Sequence, residues 1–237
     1  MIVSFVQTKG GTGKSTAAAG VAFSQAFADA FDAIVLVELD SQKTLSRWWE
    51  TRQAHERDNQ KVHFINLSDA GRETLHASFE GLESKFDGMV LDVPGESVGR
   101  FHTQFACAIS DLVVIPMRTS TNDEEAFEGN LLPIIKETIK ADAEQEGAFH
   151  VLPSFVHPQT KIASIAEYFT DILPDPIKTL PARLPVRGVF ENFNRQGCTL
   201  KEYAEIVKTN SRLHKQAENA IDDIEDIAHH ILDAGRG

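Results

Sequence analysis

A glycine-rich stretch between residues 9 and 16 contains the residue types that bind phosphate. It follows an apolar, strand-like run, Ile2–Gln7, and opens an alanine-rich run that we expect to form one helix to about Ala30. Three glycines leave the backbone free to aim N–H groups at phosphate oxygens, and a helix N-terminus adds its positive end. Lys14 supplies a cation for the β- and γ-phosphates, and Ser15 a hydroxyl for Mg²⁺. The sequence therefore predicts a phosphate-binding loop made of Gly10, Gly11, Thr12, Gly13, Lys14, Ser15 and Thr16.

The strict P-loop pattern, GxxxxGK[ST], fails by one residue, because Thr8 stands where it requires the first glycine. The run KGGTGKST instead resembles the deviant Walker A box, KGGxGK[ST], of the ParA/MinD ATPases. That resemblance implies ATP, Mg²⁺ and a homodimer around ATP, in which Lys9 reaches the phosphates of the other subunit. A second lysine there could stabilise charge on the transferring phosphoryl group, as an arginine finger does. Alternatively, Lys9 offsets phosphate charge within its own subunit.

Asp40 ends the second strand-like run, in the sequence VLVELDSQ, which resembles the DxDPQ motif of the same family. The resemblance matches Asp40 to the carboxylate that orients the attacking water. A carboxylate at the carboxyl end of a strand, opposite the phosphates, suits that task. Glu38 replaces the first aspartate of the motif and Ser41 replaces its proline. Asp40 is also a candidate N-cap for the following helix.

Asp92 ends another apolar run, in MVLDVPG, which resembles the Walker B strand and its DxP turn. A carboxylate at the end of a buried strand is costly unless it meets Mg²⁺ or the waters of the ion. We therefore expect Ser15 and Asp92 to hold Mg²⁺, Asp92 directly or through water; the alternative is an aspartate that caps a turn. Asp123, after a strand-like run that also resembles the family, is expected to cap the next helix.

Strand-like and helix-like stretches alternate along the chain. Such alternation, with continuous apolar strands, predicts an α/β fold: a mainly parallel twisted sheet with helices on both faces, as in P-loop NTPases. We expect one domain spanning residues 1–237, with no N-terminal helix-turn-helix. The main predicted strands are Ile2–Gln7, Ala33–Leu39, Val62–Leu67, Gly88–Val93, Leu112–Met117 and Phe149–Phe155.

Charge is distributed unevenly in this chain. The formal net charge is −12, which by itself argues against binding nucleic acid. However, the segment from Lys178 to Lys215 has eight basic and three acidic residues, a net charge of +5, so the remainder carries −17. We call residues 178–215 the basic segment. Its candidate DNA contacts are Arg183, Arg187, Arg195, Lys201, Lys208, Arg212 and Lys215; the alternative is a solvated surface of mixed charge.

The stretches Leu45–Trp48 and Phe190–Gly197 look most like small plasmid-partition ParA proteins and the related ATPase of T-DNA transfer. That resemblance implies slow basal ATP hydrolysis, non-specific DNA binding in the ATP state, association with the nucleoid, and a ParB-like activating protein. The alternative output is positioning of a cargo, or T-DNA-transfer-type action, on another scaffold. The loop Pro181–Val189 is the expected adenine contact by family position alone.

Membrane association, as in MinD, is the third and least favoured output. It would need a basic amphipathic helix at the C-terminus. The stretch Ile221–Ile227 is amphipathic but acidic, so anionic lipid would repel it. With no secretory signal and no apolar run long enough to span a bilayer, the chain is expected to be cytoplasmic. Cys107 and Cys198 form no metal-binding pattern and are expected to be buried free thiols.

Overall fold

The computed structural model describes residues 1–57, 59–95, 100–191 and 196–235. Its centre is one eight-stranded sheet in the order β3-β2-β4-β1-β5-β6-β7, with β8 pairing beside β6. Every pairing is parallel, which confirms the predicted α/β class. The strands are β1 (Ile2–Phe5), β2 (Ile34–Glu38), β3 (Val62–Asn66), β4 (Gly88–Asp92), β5 (Leu112–Met117), β6 (Phe149–Val156), β7 (Lys178–Thr179) and β8 (Leu184–Pro185).

Helices connect the strands and follow the last of them. They are α1 (Lys14–Ala22), α2 (Gln25–Ala30), α3 (Thr44–Ala54), α4 (Arg72–Glu83), α5 (Arg100–Ile109), α6 (Thr121–Ala126), α7 (Leu132–Ala141), α8 (Ile162–Ile172), α9 (Leu200–Ile206) and α10 (Ser211–Ala234). A π-helical turn, Phe127–Leu131, joins α6 to α7, and a 3₁₀ turn, Ala143–Gly147, follows α7. None of the helices described is both long and apolar enough to cross a bilayer.

One predicted helix is two helices in the structure. The alanine-rich run to Ala30 was expected to be a single helix, but it breaks at Ser24. The Ser24 hydroxyl donates to the Val21 carbonyl and accepts from the Phe27 N–H. It thereby closes one helix and caps the next, which is the role that serine favours over a mid-helix position.

The strands alternate their side chains between two apolar clusters, one on each face of the sheet. On β2, Ile34 and Leu36 join the cluster covered by α1, α2, α3, α9 and α10, whereas Val35 and Val37 join the one under α4, α5, α7 and α8. The apolar stripe of α10 is buried. It packs closely on α1, where a Cβ at Gly20 would lie 2.7 Å from Ile224.

Strand order decides which loops meet. Because β2, β4, β1 and β5 are consecutive neighbours, the segments that leave their carboxyl ends lie at one edge of the sheet. These segments begin near residues 39, 93, 6 and 118, far apart in the sequence. Chain direction also diverges here: the connection from β1 leads to β2 on one side, and the one from β4 leads to β5 on the other. Ligands of open α/β sheets bind at such a point.

Candidate functional site

The loop between β1 and α1 forms one wall of an open cavity of about 710 Å³. Its backbone depends on glycine at two positions, because Gly11 and Gly13 have φ of 69° and 92°, in the left-handed region. All seven residues predicted for the phosphate loop line the cavity. Its remaining lining comes from other parts of the chain: Asp40, Ser41, Gln42, Thr44, Pro94, Gly95 and Phe155. The structure therefore brings Asp40 to the phosphate loop, as the sequence predicted.

Lys14 is the cation of this cavity. Its side chain is only 6% exposed, and Nζ donates to the Lys9 carbonyl at 3.3 Å. Burial lowers the pKa of Lys14, while the carboxylates of Asp92 and Asp40 oppose that effect. Space around the ammonium is tight, since a Cβ at Gly95 would lie 2.9 Å from Nζ. Lys14 is thus held in place beside two carboxylates, at a point where it can meet phosphate.

Asp92 is a buried carboxylate with spare capacity. It is fully buried at the end of β4, and within the described residues neither carboxylate oxygen has a hydrogen-bond partner. Burial raises the pKa of Asp92 to about 7, opposed by Lys14 and by the nearby Ser15 hydroxyl, which does not have the geometry of a normal hydrogen bond to either oxygen. An orphaned carboxylate beside a hydroxyl is a donor set that suits a hydrated Mg²⁺ ion. Asp92 and Ser15 therefore fit the predicted metal.

Asp40 does not cap α3. Its Oδ1 accepts from the backbone N–H of Gln42 at 2.9 Å, within the loop that lines the cavity. The N-cap position of α3 is Lys43, which has no side-chain cap. Instead, Glu38 reaches from β2 and accepts from the N–H groups of Leu45 and Ser46 at 2.7 and 3.0 Å. The helix-cap alternative for Asp40 is therefore wrong, since Glu38 has that task.

The contacts of Glu38 account for its departure from the DxD pattern. The carboxylate is fully buried and also accepts from the Ser46 hydroxyl and from the Asn66 amide. Burial raises the pKa of Glu38, and the hydrogen bonds from Ser46 and Leu45 oppose it. The side chain is thus directed at the first turn of α3, where a carboxylate is favourable. Sequence reasoning recorded Glu38 only as a substitution and missed this anchor.

Lys9 is bound within its own chain. Its ammonium forms an ion pair with Asp123, whose side chain has no exposed surface. Asp123 also accepts from the Arg118 N–H and the Ser120 hydroxyl, each at 3.1 Å. Burial alone would raise the pKa of Asp123, but these contacts, led by that of Lys9, bring it below its ordinary value. The expected capping role of Asp123 is wrong: Ser120 caps α6, and Asp123 holds Lys9.

Two residues that the sequence did not single out lie against the phosphate loop. The Arg118 guanidinium donates to the Gly11 carbonyl and lies 4.2 Å from the ring centre of Phe155. Phe155 is 43% exposed and has a φ of 54°. No motif marks either residue, because their role depends on contacts across the sheet.

A second cavity, of about 300 Å³, adjoins the first. The two share Gly13, Thr16 and Phe155 as lining residues. The other walls come from β8 and the residues after it: Leu184, Pro185, Val186, Arg187, Gly188, Phe190 and Glu191. This cavity overlaps the loop Pro181–Val189, the family position for adenine contacts.

The basic segment is less free than its composition suggests. Arg187 pairs with Asp223, and Lys201 with Glu225. Two lysines have partners three residues away in the chain, Lys208 with Glu205 and Lys215 with Glu218. Arg183 donates to the carbonyls of Pro158 and Thr160. Arg212 has no such contact within the described residues, and Arg195 lies outside them.

Comparison with solved structures shows the fold. A putative plasmid partition protein of Borrelia burgdorferi bound to AMPPNP is 17% identical, with a TM-score of 0.64 and coverage of 98% of each chain. MinD of Aquifex aeolicus is 15% identical, with a TM-score of 0.66 and coverage of 98% of this chain and 97% of that one. A complex of Cyanothece McdA with ATP is 17% identical, with a TM-score of 0.58 and coverage of 94% and 96%. These likenesses confirm the fold of the ParA/MinD ATPases.

A family model described as "VirC1 protein" matches residues 1–235. None of the curated proteins matches this sequence. The family match covers the phosphate loop, the carboxylates of β2 and β4, and the basic segment. This agrees with the resemblance to partition and T-DNA-transfer ATPases that the motifs carry. The chain therefore belongs to the VirC1 protein family, among the ParA/MinD-like ATPases.

Proposed function

We propose that this protein is an ATP-dependent switch: it dimerises around ATP, binds DNA without sequence preference in that state, and is released when a partner stimulates hydrolysis. The observation that carries the ATPase part is the cavity lined by the phosphate loop, with Lys14, and by Asp40. The orphaned carboxylate of Asp92 is buried behind it, close enough to influence Lys14. This arrangement combines a buried cation for phosphate with a carboxylate suited to Mg²⁺.

Each residue of the cavity has a task in hydrolysis to ADP and phosphate. Backbone N–H groups from Gly10 to Ser15 bind the phosphates, and Lys14 offsets their charge within the same subunit. Ser15 and Asp92 hold Mg²⁺, which supplies a counter-charge for the β- and γ-phosphates. Asp40 orients the attacking water from the facing loop. Lys9 leaves Asp123 and reaches the phosphates of the second subunit.

The adjoining cavity is the place for adenine. It meets the phosphate cavity at Gly13 and Thr16, at the start of α1, so a nucleotide can extend from one into the other. Its walls are largely apolar, with Phe155 and Val186 exposed at 43% and 54%. A flat apolar base is a suitable occupant of such walls.

Partition of plasmid or chromosomal DNA is the output that we favour. Membership of the VirC1 family and the fold shared with a putative plasmid partition protein support it. In this proposal the ATP dimer is cytoplasmic and associated with the nucleoid, and a ParB-like protein ends the ATP state. The basic segments of two subunits together would supply the phosphate contacts.

Action on another scaffold, such as a protein assembly for cargo or T-DNA transfer, is the second candidate. It is favoured by the pairing of the basic segment, in which five of the six described candidate cations have partners within the chain. A MinD-like membrane helix is less suited, because α10 buries its apolar residues in the core and carries acids outside.

DNA binding by the purified protein tests the proposal. It is measured with Mg²⁺ and ATP, ADP or no nucleotide, across a salt series, for the wild type and Lys9→Ala. We expect ATP-dependent, salt-sensitive binding to unrelated sequences, lost in the variant. An ATP dimer without DNA affinity at low salt would favour the second candidate. ATP turnover near the ~10 s⁻¹ typical of metabolic enzymes would contradict a switch.

A further inference from the structure

The stretch of residues 118–123, from the end of β5 into the first turn of α6, contacts the phosphate loop and the preceding Lys9 at two points. From one end, the Arg118 side chain donates to the carbonyl of Gly11. From the other, Asp123 binds the ammonium of Lys9. The two points are themselves joined, because Asp123 accepts from the backbone N–H of Arg118 at 3.1 Å. The phosphate loop is therefore held from outside by a segment more than a hundred residues away in the chain.

The contact of Arg118 with Gly11 bears on the next peptide group. In a planar trans peptide, the carbonyl of one residue and the N–H of the following residue point in opposite directions. Because the Gly11 carbonyl is turned to Arg118, the N–H of Thr12 must point away from it. Thr12 lines the phosphate cavity, and both of its neighbours are glycines at positive φ, which can rotate easily when nothing holds them.

Phe155 holds the guanidinium in turn. The Arg118 Cζ is 4.2 Å from the ring centre, within the range of a cation–π contact. The ring also lies near Gly13, where an added Cβ would be 3.5 Å from it. Arg118 Nε is buried and has no hydrogen-bond partner in the part of the chain that the structure describes. Arg118 therefore contacts the loop even though this buried N–H group stays without a partner, which has a desolvation cost.

We propose that Arg118 is a positioning residue for ATP: held by Phe155, it fixes the Gly11–Thr12 peptide so that the Thr12 N–H faces the phosphates. This inference rests on the proposed ATPase function and deepens it. Arg118 does not line the cavity, so its effect is exerted through the loop. A loop ordered before binding loses less entropy when the nucleotide arrives.

The test measures equilibrium binding of MgATP and MgADP to the full chain and to Arg118→Gln, Arg118→Lys and Phe155→Leu. For Arg118→Gln we expect both nucleotides to bind about tenfold more weakly or worse, since a charge-assisted hydrogen bond is lost. Arg118→Lys should recover only part of the affinity, because an ammonium lacks the planar stack. In steady-state hydrolysis, KM should rise by a larger factor than kcat falls.

A double variant, Arg118→Gln with Phe155→Leu, tests whether the two residues act together. We expect a loss of affinity smaller than the product of the two single losses, because contacting residues are coupled. The matched controls are Arg72→Gln and Phe101→Leu. They remove another arginine–phenylalanine pair, 4.5 Å apart, that does not line the cavity. Nucleotide affinity should stay within twofold in both.

The outcomes separate this inference from the proposed function. A wild type that binds no ATP would overturn both. If Arg118→Gln folds, as judged by circular dichroism and thermal unfolding, and binds both nucleotides as the wild type does, the inference alone is wrong. A loss confined to ATP would also overturn it, because that result indicates direct contact with the terminal phosphate. Should Arg118→Gln not fold, Phe155→Leu decides: unchanged affinity contradicts the inference.

Discussion

Positive charge has different surroundings in the phosphate cavity and in the basic segment. At the cavity, Lys14 is buried and feels the charges of the carboxylates of Asp92 and Asp40, the first of which has no hydrogen-bond partner among the described residues. In the basic segment, Lys201, Lys208 and Lys215 are 46–69% exposed and have acidic neighbours on the surface. Buried charge without full pairing has a folding cost, whereas paired surface charge has little effect either way. The first arrangement therefore lowers folding stability in the absence of a ligand, whereas the second does not.

Removing one lysine from each region tests this difference most directly. We expect Lys14→Ala to lower ATP affinity and hydrolysis by roughly a hundredfold or more, because a preorganised cation for phosphate is lost. The matched control, Lys201→Ala, should leave both unchanged. Because burial lowers the pKa of Lys14, its charge costs folding free energy. The unfolding temperature of nucleotide-free Lys14→Ala should therefore not fall; a clear decrease would contradict this account of the site.

Asp92 gives the next largest effect, and it depends on pH. Its pKa rises on folding from an ordinary 3.8 to about 7, so between these values the folded state binds more protons than the unfolded state. The contribution of Asp92 to the free energy of unfolding must then fall as pH rises through this range, by on the order of a few kcal/mol. We expect this decrease in nucleotide-free wild type with EDTA, and a smaller one in Asp92→Asn.

Denaturant unfolding at several pH values checks that prediction. The same Asp92→Asn variant should need much more Mg²⁺ for ATP hydrolysis, since an amide is a weaker ligand than a carboxylate. Parallel pH profiles for the two proteins would show that Asp92 is not the buried acid responsible.

Glu38 extends the comparison, because its buried carboxylate, unlike that of Asp92, accepts several hydrogen bonds. Glu38→Ala removes hydrogen bonds from Leu45, Ser46 and Asn66, so we expect a loss of about 2 kcal/mol in unfolding free energy. Since Asp40 follows two residues later, kcat for ATP hydrolysis should also fall. Urea unfolding and steady-state kinetics measure both. Glu218→Ala, at an exposed ion pair, is the control; an equal loss there would argue against the anchor.

The smallest effects are expected in the basic segment. Lys208→Ala should change the unfolding free energy by less than about 0.5 kcal/mol, because its ion pair is exposed. For DNA binding, Arg212→Ala should have the largest effect in the segment, since this side chain has no partner among the described residues to give up. Each lost phosphate contact should lower the slope of log affinity against log salt by about 1. Unchanged slopes throughout would remove the segment from any DNA interface.

Features that depend on residues close together in the sequence could be predicted, whereas features that depend on distant residues could not. The phosphate loop, the ends of β2 and β4 and the stripe of α10 were predictable, because turn chemistry and apolar periodicity are local. The break at Ser24 was not predicted, since a single serine within an alanine-rich run is not a specific signal for a helix cap. Arg118 and Phe155 left no local pattern, although each contacts the phosphate loop.

The sequence by itself determined which chemistry this chain carries: glycines that free a backbone, a lysine and a serine at a helix start, and aspartates at strand ends. Tertiary structure alone decided how these groups are assigned. The order β2-β4-β1-β5 brings Asp123 to Lys9 and Arg118 to Gly11, and it turns Glu38 toward α3, away from the role of its motif. The physical reason is distance along the chain. Local backbone preferences depend on neighbouring residues in the sequence. Contacts between residues a hundred positions apart form only when the strands pair in a particular order.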